Sequence, residues 1–256
     1  MWFKHNLNKR SHDNVFDFNI EFLRQPFEYL SFKEACIRRA KQIGKEYKRL
    51  YLSYSGGMDS EFVLSVFIEA GIPIIPVAIS TSFNQEELSW AKKYSSSNGI
   101  SLTIIDIPDK EFIEKAYYKT YDKGLYSLLG AVPDIVHDYY GGVVITGNPT
   151  FFDLYNPKIM EIAEYEFYEF NGNVINFFCD LPIMYSMAIE TDISVSTQQA
   201  KSKLYNLKYR DKLKYSEKFY AIHNRLRPFD FNYKKVMYTN DFIKIFSPVN
   251  MLDGKC

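Results

Sequence analysis

The sequence predicts an α/β fold: a parallel twisted sheet with helices on both faces and a smaller appended C-terminal region. Three observations carry this. Apolar runs of strand length alternate with segments of helical period between Leu50 and Gly147. The first of these runs, Leu50-Tyr51-Leu52-Ser53-Tyr54, passes straight into the turn Ser55-Gly56-Gly57-Met58-Asp59-Ser60 and then into a helical pattern. After residue 150 the alternation stops.

The elements follow in order. Residues 1–30 are polar and aromatic without clear period and read as an irregular arm. Ser31-Phe32-Lys33-Glu34 has the spacing of a capping box. It opens a helix to Tyr47 with Phe32, Ala35, Cys36, Ile43 and Tyr47 as apolar positions. Its seven bases from Lys33 to Arg49 read as a solvated face. The helix after the turn runs through Met58, Phe62, Val63, Val66, Phe67 and Ala70 and stops at Gly71. Ile74–Ile79 is a second buried strand interrupted by Pro76, and Asn84-Gln85-Glu86-Glu87 a second capping box. That helix carries Leu88, Ala91 and Tyr94 and ends at Asn98-Gly99. Leu102–Ile107 is a third strand, and Asp109 caps a helix toward Gly124. Ser127–Tyr140 is helical in part, limited by Pro133, and Gly141–Gly147 is a fourth strand. Tyr165–Phe170 and Val174–Phe178 flank an Asn-Gly turn and read as a β-hairpin, with a helix ending at Phe170 as the rival. Pro182–Glu190 and Thr197–Tyr220 read as helical, and Phe242–Phe246 as a short strand.

The glycine-bearing turn is the chemical centre of the chain. Glycines without Cβ atoms let backbone N–H groups approach a ligand, and a helix N-terminus adds donors and partial positive charge. Ser55 and Ser60 add hydroxyl donors. Asp59 is repelled by a bare phosphate, so a carboxylate there calls for a Mg²⁺ ion between it and the phosphates. There is no lysine of the Walker type in the turn.

Ser-Gly-Gly-Met-Asp-Ser at 55–60 resembles the signature of the PP-loop ATP pyrophosphatases, the adenine nucleotide alpha-hydrolase-like superfamily. The resemblance covers about residues 48–155. It implies a Rossmann-like sheet and an enzyme that cleaves ATP to AMP and pyrophosphate. The product is an adenylated acceptor carbonyl or carboxylate for ligation, amidation or thiolation. It also implies that Ser53, Ser55, Gly56, Gly57, Met58, Asp59 and Ser60 meet the nucleotide, with Asp59 and Ser60 catalytic. Adenine would lie near Val77, Ala78 and Ile79, and Thr146 and Gly147 would flank the triphosphate. Asp153 would join Asp59 on Mg²⁺. The implied partners are ATP, an acceptor and an amide or sulfur donor, with tRNA open because some relatives modify it. Two alternatives stand beside this: a sulfur-metabolism protein resembling phosphoadenylylsulfate reductase, for which terminal Cys256 is the candidate thiol, and a non-catalytic nucleotide binder.

The organisation then reads as an N-terminal arm and helix (1–47), an ATP-binding core (48–155) and an appended region completing the site (156–256). Charge is uneven there. Residues 151–192 hold eight acids and one base, and residues 201–235 hold eleven bases and three acids. Pairing of the two segments is one reading; the other folds Arg210 and Lys214 over the triphosphate as catalytic cations. His12, His137 and His223 are isolated, and Cys179 sits in an apolar run; all read as structural. Net charge is zero and does not argue for nucleic acid. Cys36, Cys179 and Cys256 are too scattered for a disulfide framework or zinc site. No apolar run reaches about 18 residues and residues 1–5 open no signal-peptide core, so a cytoplasmic protein is expected.

Overall fold

The computed structural model describes residues 3–5, 20–22, 28, 30–82, 84–121, 131–147, 173–180, 182–183, 186 and 205. The expected elements at 165–170 and 242–246, that at 197–220 except Tyr205, and Asp153, Arg210, Lys214 and Cys256 lie outside them.

Two short strands, β1 (Phe3–His5) and β2 (Ile20–Phe22), pair antiparallel, with Lys4 opposite Glu21. Residues 1–30 thus contain a two-stranded sheet where an irregular arm was expected; strands of three residues are too short to show alternation. Helix α1 (Phe32–Glu46) starts at the expected capping box: Glu34 N–H donates to Ser31 Oγ and Ser31 N–H to Glu34 Oε2. It buries Phe32, Ala35, Cys36, Ala40 and Ile43. The next elements are β3 (Leu50–Ser53), α2 (Met58–Glu69), β4 (Ile75–Ser80), α3 (Gln85–Ser97) and β5 (Thr103–Asp106). They are followed by α4 (Asp109–Tyr121), α5 (Val132–Tyr140), β6 (Val143–Thr146) and β7 (Val174–Asn176).

The main sheet has the order β5-β4-β3-β6-β7, and every neighbouring pair is parallel. Alternate strand residues feed two cores. Leu50, Leu52, Val143, Ile145 and Ile175 face α1 and α2. Tyr51, Val77, Ile79, Ile105, Val144 and Val174 face Phe112 and Ala116 of α4 and Ile135 and Val136 of α5. Helices therefore cover both faces, as the unbroken apolar runs require. Pro76 is tolerated because the β4–β5 ladder begins only at Val77.

Val174–Asn176 pairs with β6 in parallel, so the expected hairpin strand is the fifth strand of the main sheet. The second capping box does not form. Asn84 turns back instead: its Oδ1 accepts from Thr81 N and Oγ1 at 2.9 and 3.0 Å, and its Nδ2 donates to Ile79 O at 2.7 Å. An Asn side chain that closes a loop on itself cannot also cap the following helix.

Candidate nucleotide-binding site

Chain order reverses between β3 and β6, the two strands from which the sheet grows in opposite directions. In a parallel sheet the crevice outside the carboxyl ends of such a pair is where ligands bind. The sequence places the Ser55–Ser60 turn after β3 and Gly147 after β6, and the structure brings them together. A Cβ on Gly147 would stand 3.0 Å from Asp59 O and 3.2 Å from Ser60 N, so any larger residue would have to push the two strand exits apart by a few tenths of an ångström.

The two turn glycines have different work. Gly56 has φ +78° and its missing Cβ faces α3, where it would meet Glu87 O and Ala91 N at 2.7 Å. Its bareness serves close packing of the loop on a helix, not the approach of a ligand. Among the described residues a Cβ at Gly57 would meet only Ser55 Oγ, at 3.2 Å, so they leave this side of the turn open. Gly57 is the extended N-cap of α2 and brings no side-chain cap of its own. The hydroxyls order the turn from inside. Ser60 Oγ donates to Gly57 O at 3.0 Å, Gly57 N–H to Ser55 Oγ at 3.3 Å, and the two hydroxyl oxygens are 3.4 Å apart. Ser55 is exposed and Ser60 buried, so Ser55 is the hydroxyl presented to solvent.

Asp59 is half-buried in the first turn of α2, where the helix dipole favours a carboxylate. Among the described residues no three His, Cys, Asp or Glu side chains gather into a metal cage. One carboxylate in such a turn would suit Mg²⁺ if phosphates bound there, since that ion is usually held by one or two carboxylates together with substrate phosphates. Ser53 and Met58 are half-buried beside the turn, and Thr146 is buried at the end of β6. Val77 and Ile79 point their side chains into the α4/α5 core, and Ala78 is buried as well. Contact of these three with a base would therefore run through backbone.

Sequence reading missed three acids at this edge. Glu61, next to the hexad, is only 1% exposed in the first turn of α2. Glu87 lies in the first turn of α3 against Gly56. Burial, with Glu86 adding to it, pushes its carboxyl up to about 7. Asp109, read as a helix cap, accepts from Ser82 N at 2.8 Å and from Ser82 Oγ, bridging the exits of β4 and β5. The Glu in position three after Asn84 drew Glu87 into a capping box, and nothing local in sequence marks the Ser82–Asp109 bridge, which spans 27 residues. His137 is structural as expected, its Nδ1 2.7 Å from Gly142 O, and Cys179 is buried in the core.

No protein-family model and no curated protein matches the chain. Solved structures resemble it at low identity. The NH3-dependent NAD synthetase of Campylobacter jejuni aligns over 88% of this chain and 95% of its own, with TM-score 0.44 and 15% identity. NMN synthetase from Francisella tularensis aligns over 83% and 100%, with TM-score 0.39 and 12% identity. The glutamine-dependent NAD+ synthetase of Acinetobacter baumannii, solved with ADP, aligns over 51% of this chain, with TM-score 0.35 and 15% identity. The match spans only 28% of that longer protein. What identifies the fold is this chain's own strand order and pairing: an α/β protein built on a five-stranded parallel sheet with helices on both faces.

Proposed function

We propose that the protein is an ATP pyrophosphatase-type enzyme that cleaves ATP to AMP and pyrophosphate and adenylates an acceptor carbonyl or carboxylate. The observation that carries this is the seat of the hexad. Ser-Gly-Gly-Met-Asp-Ser stands at the reversal of strand order, on a helix N-terminus whose N-cap is a glycine, with Gly147 packed against the backbone of Asp59 and Ser60. Such a turn suits a polyphosphate. Ser55, Gly56, Gly57 and Ser60 form the phosphate cradle; Met58 and Ser53 flank it; Thr146 and Gly147 close it.

An acceptor oxygen attacks the α-phosphorus in line, the bond to the bridging oxygen of the β-phosphate breaks, and pyrophosphate leaves. Asp59, with Asp153, would hold Mg²⁺, which when bound neutralises the phosphate charge. The chain's own part is to hold the leaving oxygens on the α2 N–H groups. From Ser53 to Glu69 there is no Lys, Arg or His, so further positive charge has to come from elsewhere in the chain. Arg210 and Lys214 are the cations assigned to that role. The acceptor's partner in the second half-reaction is an amide or sulfur donor, and tRNA is one acceptor class. No helix among the described residues is long and apolar enough to cross a membrane.

The test is Asp59→Ala. It lies at a helix start and outside the core, so the variant is expected to fold with an unchanged far-ultraviolet spectrum. Mg²⁺-dependent pyrophosphate release, assayed across carboxylate, amide and nucleobase acceptors, is expected to fall at least about a hundredfold, in the range set by losing a main transition-state charge partner. Full turnover by the variant would remove the metal assignment. ATP binding by the parent with no pyrophosphate from any acceptor would leave a nucleotide binder in place of an enzyme.

A further inference from the structure

Helix α3 touches the phosphate turn on both sides of its joint with α2. On the loop side, Gly56 rests on the backbone at Glu87 and Ala91 with no room for a methyl group. On the helix side, the Tyr94 hydroxyl lies 3.0 Å from Ser65 Oγ. Ser65 Oγ donates its proton to Glu61 O at 2.8 Å, one turn back along α2, so the Tyr94 hydroxyl is the donor to Ser65. Glu87, Ala91 and Tyr94 are spaced i, i+4, i+7 and share one face of α3. At about 1.5 Å rise per residue, Tyr94 stands about 5 to 10 Å along that helix from the Ala91 and Glu87 contact.

Between them lies the joint itself. Gly57 is extended (φ −80°, ψ 160°) and gives α2 no side-chain cap. Glycine is the residue that least restrains its own backbone. The Ser55 and Ser60 hydroxyls, 3.4 Å apart, tie loop to helix across the joint from inside, and a contact that grips both sides from outside adds to that hold. Gly147 touches the backbone of Asp59 and Ser60, on the helix side alone. Among the described contacts of the turn, α3 is the element that reaches both sides.

We propose that Tyr94 is a positioning residue for nucleotide binding: through Ser65 it locks the tilt of α2 against the glycine turn, so that the N–H groups of both converge on one polyphosphate. This rests on the reading of the turn as a nucleotide site. Preorganised donors bind without first being ordered, and releasing the lock returns that entropic cost to the ligand. Tyr94 is only partly buried against the core, and Tyr94→Phe keeps the ring and removes one oxygen.

The experiment measures Kd for a non-hydrolysable ATP analogue with Mg²⁺ by titration calorimetry, at a temperature where every variant is folded. Unfolding midpoints are measured in parallel. Tyr94→Phe and Ser65→Ala are each expected to weaken binding about three- to tenfold, the effect of one net hydrogen bond. The double variant is expected to bind no more weakly than either single, since both break the same link. Ser65→Thr, which keeps a hydroxyl, is expected to restore affinity. A purely structural bond would lower the unfolding midpoint and leave Kd within twofold of the parent, and that result overturns the proposal, as does full additivity of the two substitutions. If the parent itself does not bind the analogue, the nucleotide reading falls and this inference with it.

Discussion

Glu87 shows how one side chain can record the shape of a site. Its carboxyl ordinarily titrates at 4.5 and is pushed up to about 7, first by burial and then by Glu86. The folded chain thus keeps a proton that the unfolded chain gives up near 4.5. Between about pH 4.5 and 7 the folded state binds more protons, so stability falls as pH rises through that window and stays lower above it. Glu87→Gln removes the titration. It is expected to raise stability by about 2 kcal/mol at pH 8 and to give little gain at pH 5, read from urea midpoints. Equal gains at both pH values would mean that the charge is not what strains the folded state. At this scale the strand-to-helix turn at the hexad was legible, because its glycines and the apolar periods on either side are local signals. The division of labour between Gly56 and Gly57 was not, because it depends on where α3 lies.

Among elements, the strands and helices from α1 to β6 were legible because burial on two faces writes long apolar runs into parallel strands. The failures came where a side chain had two local options. Asn84 had a cap and a loop closure within reach, and bonds to Thr81 and Ile79 won. The bases of α1 read as solvated, yet Arg38 and Arg39 turn to Asp180, an acid from a segment that was paired on paper with residues 201–235. The basic segment itself enters the described structure at Tyr205. That ring meets Phe62 of α2 edge-on, with centroids 5.3 Å apart, and Lys33 Nζ stands 5.8 Å from its centre. Tyr205 is therefore beside α2, the helix that follows the glycine turn. If the segment clamps pyrophosphate, Arg210→Ala and Lys214→Ala are each expected to slow pyrophosphate release at least tenfold, with little change at moderate salt. RNA binding that weakens steeply with salt would assign the segment to a nucleic-acid partner instead. No change in either assay would leave it without a role in the reaction.

For the molecule as a whole, the tie between Asp180 and α1 matters most. Arg38 Nη2 is 3.3 Å and Arg39 Nη1 3.9 Å from the two carboxylate oxygens. Burial raises the Asp180 carboxyl, while the two guanidinium groups pull it back. Both Nε atoms are buried with no hydrogen-bond partner among the described residues, and Asp180 is the anion described beside them. Asp180→Ala is expected to cost about 2 kcal/mol by urea unfolding, below the range for fully buried pairs because the arginines keep some exposure. A loss under about 0.5 kcal/mol would show that solvent already satisfies them. Sequence alone could not place this tie, because nothing near residue 180 or residue 38 marks a partner 142 positions away.

The addition of β7 to the edge of β6 also fixes an order of events in synthesis. Val144, Ile145 and Thr146 wait opposite Val174, Ile175 and Asn176, and the stretch between them has to emerge before the ladder can form. Until then a nascent chain that already carries the whole phosphate turn presents an open strand edge, the kind of surface that pairs with the wrong neighbour. A fragment cut at residue 155 would leave β6 without β7 permanently, so the piece that carries the glycine turn is not the piece that can safely be expressed by itself.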